Sequence, residues 1–212
     1  MIDLWSLFKN SLFVIVFIFT FIFPKNIYAH PNVMLEYRIF FKLDNYQVKS
    51  IGESWVFDKI TSKELMQKYK IKDSKLNKKQ STELAKKIME GLYDVRYFTY
   101  ISVDSEDIGR VKASNFKAQI KDKTLSIAFN INLPNPINLK ANNLSVEVKD
   151  PDASVTTVLA HKKPVILIGT EKNSCQISIK QKNNPMKDIL SKKDIFMTAM
   201  AFPLKKVTIS CK

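Results

Sequence analysis

Leu35, Tyr37, Ile39, Phe41 and Leu43 alternate with Glu36, Arg38 and Lys42, the period-two pattern of a half-buried strand. Asp44-Asn45 follows as a hairpin turn. In the second strand Tyr46 and Val48 share one parity and Ile51, Trp55 and Phe57 the other, so a slip near Gly52 predicts a bulge. The spacing then becomes helical. Thr61-x-x-Glu64 has the form of a capping box ahead of Leu65, Met66 and Tyr69, and Asn77-x-x-Gln80 opens a second segment with Leu84, Ala85, Ile88, Met89 and Leu92 on one face. Strand character returns at residues 97–101 and is clearest from Leu125 to Leu133, where apolar and polar residues alternate strictly. Pro134-Asn135-Pro136 is expected to end that strand, Leu144 to Val148 forms the next, and Asp150-Pro151-Asp152 closes it. Short strands follow at Val165 to Ile168, around Cys175 and around Ile209. Strand, helix, helix, strands in this order predicts an α+β fold, mainly antiparallel β-sheet or sandwich with an inserted helix-loop-helix.

Upstream of this pattern, Lys9 precedes an apolar run from Leu12 to Phe23, and Pro24, Lys25 and Ala29 follow. The run is shorter than the roughly 20 apolar residues a membrane span needs, and it ends in a helix breaker and a small residue. Residues 1–29 therefore read as a cleaved signal peptide and 30–212 as a single domain, exported to the periplasm with His30 first.

Charge changes the picture only modestly. The chain carries +14; the leader holds Lys9, Lys25 and Asp3, a net +1, which leaves +13 after cleavage. Lysines are spread along the chain in short clusters such as Lys78-Lys79 and Lys192-Lys193, and export separates the protein from nucleic acid, so no nucleic-acid partner is expected. A solvated basic surface is the plain reading; contact with an anionic membrane surface is the sharper one.

Cys175 and Cys211 are the only cysteines. Each lies on the apolar face of its own predicted strand, and an even pair in an exported chain predicts one disulfide. Two buried thiols that never bond are the alternative.

Ala29-His30-Pro31, Trp55-Val56-Phe57-Asp58, Tyr97-Phe98-Thr99-Tyr100, Leu133-Pro134-Asn135-Pro136 and Val148-Lys149-Asp150-Pro151 occur in this order over nearly the whole mature chain. The series resembles the exported family catalogued as domain of unknown function one thousand and seven. The resemblance implies a periplasmic component of an ABC-type transport system, placed beside nickel/cobalt/zinc-type permeases, with no reaction assigned. The chain departs from the family pattern at three points. Asn32 replaces a second early histidine. The loop around Asp73 offers one carboxylate among Lys70, Lys72 and Lys75, so calcium, which needs several oxygen ligands, is not expected. Asp152-Ala153-Ser154-Val155 stands where an aromatic run is usual.

An amino-terminal His30 would offer its α-amine and imidazole together, a chelate suited to zinc, nickel or copper. Pro31 has no amide hydrogen, so the backbone cannot complete the site in the usual way. His161, Asp150 and Asp152 are the candidate further donors; a tolerated terminal residue and a surface-loop histidine are the plain alternatives. Met197-x-x-Met200 reads as core packing before a cuprous site, and Asp58 as a helix cap before a general base.

The glycines are too scattered for a phosphate loop, and no G-x-S-x-G, H-E-x-x-H or C-x-x-C occurs. The expectation is a non-catalytic accessory of divalent transition-metal transport, acting with an inner-membrane permease. A structural or interaction module that has lost its metal is the alternative. A copper histidine-brace enzyme built on His30 and His161 is a remote third.

Overall fold

The computed structural model describes residues 33–72, 75–152, 154–181 and 204–212. The chain divides into two units, Met1–Pro31 and Asn32–Lys212, and the described residues all belong to the second. The leader, His30, Asp73, Lys192-Lys193 and the Met197/Met200 pair lie outside the described residues.

Two sheets, two α-helices and three short 3-10 helices account for the regular structure among these residues. Strands β1 (Val33–Asp44), β2 (Gln47–Phe57), β5 (Lys112–Lys121), β6 (Thr124–Asn138), β8 (Val155–Leu159) and β9 (Val165–Ile168) form the first sheet. Its order is β5-β6-β2-β1-β8, with β9 also on β1. The second sheet, order β10-β11-β7-β3-β4, comprises β3 (Thr99–Val103), β4 (Glu106–Asp107), β7 (Leu144–Val148), β10 (Cys175–Gln181) and β11 (Lys205–Cys211). Its ladders are antiparallel, whereas β8 and β9 run parallel to β1, so the first sheet is mixed. Helices α1 (Lys59–Lys68) and α2 (Lys78–Met89) follow β2 in sequence.

Alternation puts Leu35, Tyr37, Ile39 and Phe41 of β1, Leu125, Ile127, Phe129 and Ile131 of β6, and Val146, Val148, Val207 and Ile209 of the second sheet into one buried cluster, the arrangement of a sandwich. Trp55 is fully buried at its centre, stacked on Phe98 at 6.0 Å and edge-on to Phe129 at 4.9 Å. Burial of this apolar surface is the main force holding the sheets together.

Several local expectations shift. Asn45 and Tyr46, both with positive φ, make the β1–β2 turn, the left-handed pair that a two-residue hairpin favours. The bulge expected near Gly52 is present, between Val48 and Ser50, and Gly52 itself pairs in register with Phe40 of β1. Strand β6 runs through Pro134 and Pro136 to Asn138. Its ladder with β2 breaks between Asn132↔Ser50 and Ile137↔Val48, so the prolines fall where no amide donor is required. The cap of α1 is Asp58, three residues before Thr61: its carboxylate accepts the amides of Ile60 and Thr61 and the Thr61 hydroxyl. Asn77 and Gln80 form the predicted capping box of α2.

Candidate functional site

Strands β8 and β9 share one edge of β1, and the chain leaves that edge between them. Ala160 N donates to Tyr37 O and Pro164 O accepts from Ile39 N, so His161, Lys162 and Lys163 form a short excursion anchored on both sides of Arg38. His161 is exposed there. Asp150 and Asp152 share a turn at the other end of β8. Asp150 accepts the amides of Asp152, at 3.0 Å, and Val155, at 2.7 Å, one on each carboxylate oxygen. It shapes the turn, while the Asp152 side chain is exposed. The five residues of β8 separate this turn from His161 by roughly 16 Å at the usual rise. The structure thus places Asp150 and Asp152 in one turn and leaves the imidazole apart, and among the described residues no group of three or more His, Cys, Asp or Glu side chains could hold a metal.

Cys175 and Cys211 are joined in a disulfide. They face each other directly in the β10–β11 ladder, in register with Ile177↔Ile209 and Ile179↔Val207, which is why each could be placed on an apolar strand face by alternation. Among the described residues no helix is long and apolar enough to cross a membrane.

The most unusual chemistry is a carboxyl group inside the core. Ile51, Glu53, Trp55 and Phe57 are the inward positions of β2, and Glu53 is 1% exposed. Trp55 Nε1 donates to Glu53 Oε2 at 2.8 Å, and Thr99 Oγ1 lies 2.8 Å from Glu53 Oε1 and 2.9 Å from Tyr97 O. The threonine hydroxyl has one proton to give. It can donate to the Tyr97 carbonyl while bonded to Glu53 only if the carboxyl supplies a proton of its own. Burial pushes the Glu53 carboxyl up to about 7, against the bonds from Trp55 and Thr99, which pull it down. Tyr37 nearby is raised as well, by burial first and then by the Glu53 and Glu147 charges.

Thr99 also terminates a strained segment. Arg96, Tyr97 and Phe98 all have φ between 50° and 56°, a left-handed turn that costs roughly 1–2 kcal/mol per L-residue. Residues 97–98 therefore precede the strand that was expected to include them. Compensation is visible on every side. Phe98 N donates to Val95 O, Lys149 N to Phe98 O at 2.7 Å, and the Thr99 hydroxyl reaches Tyr97 O. Arg96 pairs with Asp107 at 2.6 Å and, with the Gly109 amide, holds that carboxyl below its usual range. Sealed as it is, Glu53 has no route to a substrate; it positions this turn against β2. The signal for it in the sequence was a lone Glu at a core-parity position between Ile51 and Trp55.

No curated protein is similar enough to count as a match. Among solved structures, the acetylcholine-binding protein type 1 of Biomphalaria glabrata is similar at 11% identity, over 90% of this chain and 91% of that one, with a TM-score of 0.34. The family profile described as "Protein of unknown function (DUF1007)" matches residues 15–202, and the chain belongs to that family.

Proposed function

We propose that this protein is an exported, non-catalytic accessory of a divalent transition-metal transport system, zinc or nickel in type, which holds the ion at a mature terminus beginning with His30 and presents it to an inner-membrane permease. The observation that carries this reading is the Cys175–Cys211 disulfide. A bonded pair is at home in an oxidising compartment such as the periplasm, and export there removes a leader ending at Ala29, which makes His30 a terminal chelate of amine and imidazole. The exposed Asp152 and His161, at opposite ends of β8, are alternative candidates for one further donor, whereas Asp150 is occupied by its own turn. The two helices after β2 are read as one inserted helix-loop-helix.

The second reading is an interaction module without metal, favoured by Asn32 at the third mature position. Titrating zinc and nickel into the mature protein and its His30→Ala, Asp152→Asn and His161→Ala variants separates the two. The accessory reading requires micromolar or tighter binding that His30→Ala abolishes. Binding unchanged in all three variants rules the terminus out as the site.

A further inference from the structure

The turn between β5 and β6 and the flank of α1 border a half-open hollow of about 310 Å³. Its apolar lining comes from Met66, Ile71 and Ile120, and Lys63, Lys72 and Lys123 stand around it. One carboxylate, Asp122, shares the rim. The volume is at the lower end of small-molecule sites, and an apolar floor with a few charged groups at its edge is their common design.

The lining itself holds three lysines against one carboxylate, a net +2. Residues 59–90, the segment to which Lys63 and Lys72 belong, hold ten lysines against four carboxylates, a net +6 of the +14 carried by the whole chain. A recess with positive charge concentrated around it raises the local concentration of anions and discriminates against cations of the same shape. Met66 and Ile71 lie recessed and only partly exposed, which suits a guest that enters the hollow.

We propose that this hollow is a binding site for a small apolar anion, a carboxylate with a short aliphatic or aromatic body. The body rests on Met66, Ile71 and Ile120, and the carboxylate is held among Lys63, Lys72 and Lys123. The site is independent of the His30 terminus and of any metal.

Octanoate is the probe, titrated by calorimetry and by amide chemical shifts into the whole mature protein, with octylamine and 1-octanol as controls for charge and for apolar burial. Saturable octanoate binding is expected, with shifts at Met66, Ile71 and Ile120 and with octylamine bound at least tenfold more weakly. The surface variant Lys63→Gln/Lys123→Gln should weaken octanoate roughly tenfold, as the loss of two exposed charge contacts implies, and leave octanol and the thermal midpoint unchanged. Lys117→Gln, outside the hollow, should change nothing. Vesicles of phosphatidylglycerol distinguish a lipid from a free carboxylate: protein that stays on them in excess octanoate, with no octanoate shifts in solution, overturns the proposal. So does octylamine binding as tightly as octanoate.

Discussion

Glu53 Oε1 and Thr99 Oγ1, 2.8 Å apart, join β2 of one sheet to β3 of the other through a mainly apolar interior. Because the same hydroxyl lies 2.9 Å from Tyr97 O, the protonation of one buried carboxyl is linked to the left-handed turn before β3. Hydrogen bonds of this kind set a unique register between sheets that apolar packing alone would leave looser.

The first consequence is a pH dependence of stability. The folded Glu53 carboxyl titrates at about 7, against an ordinary value of 4.5. The folded chain therefore holds this proton more tightly than the unfolded chain does. Its contribution is fully present below pH 4.5 and is lost as pH rises through 7, a change on the order of 3 kcal/mol. Glu53→Gln keeps the shape and provides the missing donor permanently. Urea unfolding from pH 5 to pH 8 should show a steep decline in the parent and a nearly flat profile in the variant, which becomes the more stable of the two at pH 8.

Thr99→Val removes the donor to Tyr97 O and the partner of Glu53 at little change in volume. Loss of about 1–3 kcal/mol is expected from the unsatisfied buried groups. A double-mutant cycle with Glu53→Gln should yield a coupling of at least 0.5 kcal/mol, roughly the lower bound for residues in one network. Strict additivity would mean that the two sites act independently.

Cys175 and Cys211 are 36 residues apart, and a loop of that length implies about 3–4 kcal/mol of stabilisation by the chain-entropy argument. A reductant, or the Cys175→Ala/Cys211→Ala variant, should lower the urea midpoint by a corresponding amount. Equal midpoints with and without reductant would show that the bond contributes nothing to stability.

Asp58 fixes the start of α1 and also accepts the Met34 amide at 3.1 Å, which ties the helix to the start of β1. Burial opposes its ionised form, but bonds from the Thr61 hydroxyl and the Thr61, Met34 and Ile60 amides outweigh that and hold it below the usual carboxylate range. Its contribution is present above the ordinary carboxylate value and lost in stronger acid, opposite in sign to that of Glu53. Asp58→Ala should cost about 1–2 kcal/mol at neutral pH, and Asp58→Asn less, measured by thermal unfolding.

Strands were legible wherever one face is buried, because alternation then records the burial: Leu35 to Leu43 and Leu125 to Leu133 needed nothing else. The disulfide was legible from apolar parity and an even cysteine count, since both cysteines sit on apolar parities of strands that proved to be neighbours, although Ile177 and Ile179 beside Cys175 are exposed and not part of the core. The turn at Arg96–Phe98 was not. Three bulky residues with positive φ have no local preference for it, and Tyr97-Phe98 reads as strand until Thr99, Lys149 and Asp107 are in place around it. Thr61-x-x-Glu64 misled because a capping box says only that a cap is feasible there; Asp58, one turn earlier, captured the same Thr61 amide. Of the metal candidates, the chain order could not show that β8 lies between Asp152 and His161 along one sheet edge.

Metal binding by the mature terminus is central to the proposed function, and one calorimetric comparison tests it most directly. Zinc is titrated into protein that begins with an authentic His30 and into the same protein carrying one additional residue before it. Binding at micromolar strength or better that disappears in the extended form is the predicted result, since the extra peptide bond converts the α-amine into an amide that keeps its proton in the presence of zinc near neutral pH. Equal binding in the two forms, or none in either, contradicts the claim.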